Sequence, residues 1–216
     1  MNDAINEYLE KLIPPRNELL SKMEDYAQEN HVPIMELVGI EAMLQLLRLH
    51  QPSSILEIGC AIGYSSLRMA FALPEANIVT LERHPERIKA ARTFLAESGQ
   101  EDRITLLEGD ALELSGQVQQ FGPFDAIFID AAKGQYSRFF ELYEPYLAPE
   151  GIIISDNVLF KEQVIVPEEE IETRRKRSLV RKIKHFNRWL MEHEEYDSVI
   201  LPIGDGMAVS KKKKNR

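Results

Sequence analysis

The chain opens with apolar positions three and four residues apart. Leu19, Leu20, Met23 and Tyr26 share one face of a segment at about 16–29, and Leu37, Ile40, Met43, Leu44 and Leu47 share one face of another at about 35–49. That spacing predicts amphipathic helices. Pro14-Pro15 separates a first helix from the second, and Asn30-His31-Val32-Pro33 connects the second to the third. Residues 1–50 read equally well as a cover on a sheet edge and as a lid whose connector, 33–38, touches a ligand. From residue 53 the pattern changes. Apolar runs near 53–58, 77–82, 103–108, 124–130 and 151–155 alternate with helical patterns near 64–73, 85–98, 111–120 and 136–147. Such alternation predicts parallel strands with helices on both faces. Two more runs, at about 196–202 and 206–211, flank Gly204-Asp205-Gly206, a hairpin signal. The expected architecture is a single α/β domain: a seven-stranded mixed sheet of five parallel strands plus a C-terminal hairpin. The helical cover spans 1–50, the core 51–211 and a basic tail 212–216.

The stretch from Ile55 to Ser65 organises the core. Ile55 to Ile58 reads as a buried strand, Gly59 to Gly63 as a glycine-bracketed turn, and a helix opens at Tyr64 or Ser65. This is the first half of a Rossmann-like βαβ unit. The spacing is G-x-x-x-G, and Ala61 stands where a dinucleotide fold has the glycine that admits a pyrophosphate. An adenosine-type ligand without phosphates is therefore expected. In an open parallel sheet ligands sit beyond the carboxyl ends of the strands. Each of the five parallel strands has an acid at or near that end: Glu57, Glu82, Glu108 with Asp110, Asp130, and Asp156. One such acid is ordinarily a cap or a turn former, but five together are hard to explain by capping. Glu82, 23 residues after Gly59, is placed for two ribose hydroxyls, and Asp110-Ala111 for an adenine. The turn holds no Lys or Arg. An acidic cup around an adenosine suits a cation, and S-adenosylmethionine is one.

Asp130, Asp156 and Asn157 form a second cluster at neighbouring strand tips. Two carboxylates and an amide oxygen are hard ligands that suit Mg²⁺. No His or second Cys joins them, which argues against a softer metal. Lys133, three residues after Asp130, reaches the same place, and a neighbouring divalent cation would favour its role as a general base. These parts describe activation of an acidic hydroxyl beside an electrophilic methyl group.

Glu57-Ile58-Gly59-Cys60-Ala61-Ile62-Gly63-Tyr64-Ser65, Asp130-Ala131-Ala132-Lys133 and Asp156-Asn157 resemble the Mg²⁺-dependent class I O-methyltransferases of the catechol and caffeoyl-CoA type. Within them the chain is most similar to the bacterial tRNA 5-hydroxyuridine methyltransferases, which make 5-methoxyuridine at the wobble position, 34. The resemblance spans about residues 33–211. It implies that Met35, Glu57, Gly59, Ser65, Glu82, Asp110, Ala111 and Asp130 hold S-adenosylmethionine. It also implies that Asp130, Asp156 and Asn157 hold Mg²⁺, and that Lys133 with Asp130 carries the catalysis. The catechol enzymes have bulky residues where this chain has Ala131 and Ala132, which opens the mouth and counts against a small catechol.

Charge sharpens the question of substrate. The net charge is −9, yet residues 174–188 hold eight Lys/Arg and 211–216 hold five more, with no acid in either segment. Thirteen basic residues then remain for the rest of the chain, against 35 acidic ones. Pro167 with Glu168-Glu169-Glu170 reads as the start of a helix whose buried face is Leu179, Ile183, Phe186 and Leu190. Arg174, Arg177, Arg181, Lys184 and Arg188 form a stripe about 20 Å long on that helix, flanked by Arg175, Lys182 and His185. A stripe of that length spans several phosphates of an RNA stem-loop, and a tRNA anticodon arm is the expected partner. The target base would turn out of its stack into the pocket. Two rival readings are a small catechol or phenolic acyl-CoA as the substrate, and a non-catalytic RNA-binding module. The tail from Lys211 is expected to be disordered. The single cysteine, Cys60, makes no internal disulfide, and no signal peptide or membrane-length apolar run is seen. A cytoplasmic protein with no membrane association is expected, with a homodimer face on the N-terminal helices as a possibility by analogy.

Overall fold

Seven strands form one sheet in the order β3-β2-β1-β4-β5-β7-β6. They are β1 (Ser54–Ile58), β2 (Asn77–Glu82), β3 (Ile104–Glu108), β4 (Phe124–Ile129), β5 (Leu147–Ser155), β6 (Tyr196–Leu201) and β7 (Met207–Lys212). The chain is seen as a computed structural model that describes residues 3–214. The first five strands are parallel, and β7 runs antiparallel to both β5 and β6. This is the expected mixed sheet. The central strands are mostly apolar because both their faces are covered, with Glu57 and Thr80 as buried exceptions. Along β1, Ile55 packs into one core, and Leu56 and Ile58 pack into the other.

Helices α2 (Glu18–Glu29), α3 (Leu37–His50), α4 (Tyr64–Ala72) and α5 (Pro85–Ser98) bury their apolar faces on one side of the sheet. On the other side lie α6 (Ser115–Val118), α7 (Tyr136–Tyr143) and α8 (Arg174–Met191). Helix α1 (Asp3–Leu12) packs against α3. Met23, Ile40, Met43, Leu44 and Leu47 are buried, so the N-terminal helices do cover the sheet. A polar network fixes them to α4. The Arg16 guanidinium donates twice to Glu24 at 2.8 Å, the Tyr64 hydroxyl donates to Glu24 at 2.5 Å, and Arg68 reaches both Tyr64 and Glu41. Among the described residues no helix is long and apolar enough to cross a membrane.

Several boundaries differ from those read off the pattern. Helix α2 starts at Glu18, because Asn17 caps it by accepting the Leu20 N–H at 2.9 Å. The helix expected over 111–120 shrinks to α6 and a 3₁₀ turn at Gln119–Phe121. Asp110 is the cause: its side chain accepts the Leu112 N–H and its carbonyl accepts the Glu113 N–H, which makes a turn in place of a helix start. Helix α7 ends at Tyr143 because Pro145 cannot continue it, and a 3₁₀ turn follows at Glu144–Tyr146. Strand β5 begins at Leu147, paired with Phe124 across an irregular register. Helix α8 begins at Arg174 and not at Pro167. Thr173 caps it by accepting the Lys176 N–H at 3.1 Å, and Glu168–Glu170 form a separate 3₁₀ turn. On α8, Val180 takes the buried place expected of Leu179, which is only partly buried. The described part of the basic tail is anchored. Lys211 and Lys212 belong to β7, Lys211 and Lys214 face Glu150 at 3.4 and 3.2 Å, and the Lys213 N–H donates to the Glu195 carbonyl at 2.7 Å. Residues 215–216 of the tail lie outside the described residues.

Candidate active site

The parallel register builds the site. Ile58 lies opposite Ile129, and Ile129 opposite Ser155. The next residue of each strand, Gly59, Asp130 and Asp156, therefore stands beside its neighbour, with side chains of one register pointing the same way. Backbone bonds continue past the strand ends: the Asp130 N–H donates to the Ile58 carbonyl and the Asp156 N–H to the Ile129 carbonyl, both at 3.0 Å. Gly59 has φ +96°, and a methyl group there would lie 2.3 Å from the Asp130 carbonyl oxygen. Only glycine lets these two backbones approach so closely. Non-glycine residues with positive φ gather around the same place, at Ala61, Asn157, Phe160, Lys161 and Glu162. Held backbone strain of this kind is concentrated at functional sites.

A hollow of about 590 Å³ opens over these strand tips. Met35, Gly59, Ser65, Glu82, Asp110, Ala111, Asp130, Lys133, Asp156 and Asn157 all line it, and the strand order sets Asp110 and Glu82 toward one end and Asp130 and Asp156 toward the other. Of the residues expected to hold the methyl donor, only Glu57 is missing from the wall. It alternates with Leu56 and Ile58 and so points into the core beneath α4, fully buried. There it faces its register partner, Thr80 of β2. Thr80 and Ser66 both donate to its Oε2, while Oε1 has no partner among the described residues. Burial pushes this carboxyl up to about 7. The connector before α3 does touch the hollow, through Pro33, Ile34 and Glu36. The N-terminal segment is thus both cover and wall.

Capping explains more of the acids than expected. Glu82 accepts the Ala61 N–H on one oxygen at 2.9 Å and the Arg83 and His84 N–H groups on the other. It stabilises the glycine turn and still lines the hollow. Asp110 accepts the Leu112 N–H and the Arg83 guanidinium, the latter at 2.9 Å, and these bonds hold its carboxyl below the usual range, the Leu112 bond most of all. Glu108 pairs with Arg92 and does not line the hollow. Arg83 and Arg87 join the wall, which sequence reasoning missed because neither lies in the glycine turn.

At the other end the Lys133 ammonium donates to the Asn157 amide oxygen, and the Asn157 amide nitrogen donates to Asp156. Burial first, and then the neighbouring Asp130, push Asp156 up to about 7. Burial also raises Asp130, against the pull of Lys133. Two adjacent carboxyls whose burial disfavours their charge form a pair that a hard cation would stabilise. Among the described residues no third His, Cys, Asp or Glu completes a metal cluster, so Asn157 would supply the third oxygen. The residues fit Mg²⁺ in type.

Two elements that drew no functional attention in the sequence hold the site together. Helix α7 pins two strand tips: the Tyr136 hydroxyl donates to the Asp156 carbonyl at 2.8 Å, and the Tyr143 hydroxyl to the Ala111 carbonyl. The β6–β7 turn clamps the loop after Asn157. The Val158 N–H donates to the Gly206 carbonyl, the Leu159 N–H to the Asp205 carbonyl, and the Lys161 N–H to the Asp205 carboxylate. Asp205 also lines the hollow, and its charge adds to the upward push on Asp130 and Asp156. Only its hairpin spacing was legible beforehand.

The basic stripe proves less uniform than its spacing implied. Arg177 donates to the Ile171 carbonyl at 2.7 Å, Lys184 reaches the Val166 carbonyl at 3.5 Å, and Arg181 lies 3.4 Å from Glu168. These three tie the 166–171 segment to α8. Arg174 and Arg188 are exposed.

The geometry agrees with comparisons to known proteins. A catechol O-methyltransferase of Niastella koreensis is 29% identical over 96% of this chain and 96% of its own. A Staphylococcus aureus structure, described as that of a candidate caffeoyl-CoA O-methyltransferase, is 36% identical, covers 97% of this chain and 100% of its own, and has a TM-score of 0.91. The Podospora anserina methyltransferase PaMTH1, solved with SAH bound, is 28% identical, covers 98% of this chain and 95% of its own, and has a TM-score of 0.85. Residues 13–213 match the family described as O-methyltransferase. With the match running from before α2 to the last strand, and with the glycine turn, Lys133 and the paired carboxylates all on one hollow, the chain belongs to the O-methyltransferase family.

Proposed function

We propose that the chain is an S-adenosylmethionine- and Mg²⁺-dependent methyltransferase of 5-hydroxyuridine at position 34 of tRNA, yielding 5-methoxyuridine. One observation carries the reaction class: Lys133, Asp130, Asp156 and Asn157 meet at one end of a hollow whose other end offers the Glu82 carboxylate beside a glycine turn. Glu82 would take the ribose hydroxyls, and the segment from Asp110 to Leu112 would bracket the adenine. Mg²⁺ held by Asp130, Asp156 and Asn157 would supply Lewis-acid stabilisation of the substrate oxygen.

The remaining work falls to the chain itself. The hollow would hold the acceptor hydroxyl in line with the donor methyl, so that orientation would supply much of the rate. S-adenosylmethionine would supply an electrophilic methyl group, whose transfer to the hydroxyl oxygen would leave the sulfur as a neutral thioether. Lys133, in its neutral amine form, would accept the hydroxyl proton. The N-terminal connector, which lines the hollow through Met35 and Glu36, would limit water there.

The substrate reading draws on the resemblance given above, on the small Ala131 and Ala132 at the mouth, and on the concentration of cations on α8. Mass spectrometry of tRNA nucleosides from cells with and without this gene tests it. 5-Methoxyuridine should vanish and 5-hydroxyuridine accumulate in the deletion; unchanged nucleosides would refute the reading. The names of the Niastella and Staphylococcus relatives favour a second reading, a catechol or a phenolic acyl-CoA. It predicts a higher kcat/KM for such a phenol than for an anticodon stem-loop bearing 5-hydroxyuridine.

A further inference from the structure

A second hollow, of about 580 Å³, opens on the far side of Lys133. Ser178, Arg181, Lys182 and His185 recur at i, i+3, i+4 and i+7, and so form one wall from a single face of α8. The first turn of α7 forms the other wall, with Arg138 at its edge. Lys133 and Gln135 line both hollows, so the two are contiguous. No carboxylate lines this groove, although the chain carries a net charge of −9. Among the described residues neither the Lys182 nor the His185 side chain has a hydrogen-bond or ion-pair partner. Arg177 and Lys184 of the same helix, by contrast, are committed to backbone carbonyls. The Lys182 side chain runs along the backbone next to Lys133: a methyl on Gly134 would lie 3.5 Å from its Cδ and 3.6 Å from its Nζ. Gln135, which precedes α7, makes no side-chain cap hydrogen bond.

We propose that this groove binds the phosphodiesters flanking the nucleotide whose base enters the reactive hollow. The inference rests on the RNA reading above. Arg138 and Lys182 line opposite walls of the groove with no carboxylate in its lining, while Arg181 keeps a 3.4 Å contact with Glu168 and Arg138 donates to the Gln135 amide oxygen; an anion relieves the repulsion among these cations. A nucleotide turned out of its stack keeps its own phosphates at the pocket mouth, and here the mouth is walled by Lys133 and Gln135. The stripe residues used to hold the 166–171 segment are replaced in this role by Lys182 and Arg138.

The test uses the full chain with S-adenosylhomocysteine present and single-stranded oligouridylate as the probe, followed by fluorescence anisotropy across a salt series. The variants are Lys182→Glu with His185→Glu, and separately Arg138→Glu from the opposite wall. Arg48→Glu, exposed on α3 and lining neither hollow, is the control. Oligouridylate affinity should fall at least about tenfold in both groove variants, and the salt slope by about 0.7 for each phosphate that is no longer neutralised. Affinity for S-adenosylhomocysteine should hold, and the control should match the parent. Parental affinity and slope in both groove variants would overturn the proposal, as would an equal loss in the control. A parallel loss of S-adenosylhomocysteine affinity would also overturn it, because the effect would then lie in the reactive hollow. If the parent ignores oligouridylate but binds coenzyme A, and the groove variants lose that binding, the phosphate site stands and the RNA reading falls.

Discussion

Gly59 and Asp130 meet backbone to backbone, and much of the chemistry depends on that contact. In Gly59→Ala the new methyl group overlaps the Asp130 carbonyl and the φ of +96° becomes strained. The expected cost is about 1–3 kcal/mol of stability, read by calorimetry, with methyl transfer falling further because Asp130 moves. Lys133 calls for a different signature. Its amine reaches the amide of Asn157, at the opposite end from the Glu82 pocket. Lys133→Met should lower kcat about 10²-fold or more and leave S-adenosylhomocysteine affinity unchanged by calorimetric titration. A fall in both would place Lys133 in donor binding. The glycine spacing and the Asp130–Lys133 interval were legible in the sequence because both are local. That Gly59 is required by a backbone 71 positions further on was not.

At the scale of elements, the helices and turns around the hollow hold it by single hydrogen bonds. The Tyr136 hydroxyl is buried against the Asp156 carbonyl, so Tyr136→Phe should cost about 1–2 kcal/mol, seen as a lower unfolding midpoint. The β6–β7 turn is held more tightly. Gly206 has φ +85°, and a methyl there would lie 2.3 Å from Leu159 Cγ, so the turn and the loop after Asn157 are packed as one unit. Asp205→Ala removes the acceptor of the Lys161 N–H. Amides 158–161 should then exchange hydrogen faster while those of β1 and β4 stay protected, and kcat should fall about tenfold if the loop positions Asn157. Unchanged exchange would show that the backbone bonds suffice. The sequence pattern supplied the hairpin and its turn; it did not supply the neighbour. The misplaced start of α8 has the same origin, since three acids after a proline look like a first helical turn until Thr173 is seen to be the cap.

For the whole molecule, the buried Glu57 sets a pH dependence. Folded, its carboxyl sits at about 7 against an ordinary value of 4.5. The folded chain therefore holds the proton more tightly than the unfolded one. Stability of the ligand-free protein should fall as pH rises from about 4.5 to about 7 and then level off, with Glu57 contributing about 3 kcal/mol of the loss. Glu57→Gln should remove that contribution in denaturant melts and leave the one from Asp156, whose carboxyl is also pushed up to about 7. A parent profile that rises with pH over this window would show that the carboxylate charge is favoured in the fold.

Local regularities in the chain determined the alternation of strands and helices, the glycine turn, the final hairpin and the identity of the polar residues at the strand tips. Each is a matter of side-chain period or of backbone freedom within a few residues. Tertiary structure decided what those residues face. Parallel register aligned Gly59, Asp130 and Asp156. The two-residue period of β1 turned Glu57 away from the hollow and into the core. Packing of the 166–171 segment against α8 occupied three cations of a stripe that spacing alone made equivalent, and left Lys182 facing the groove. Sequence spacing fixes the direction of a side chain on its own element; which partner waits in that direction depends on contacts between residues far apart in the chain.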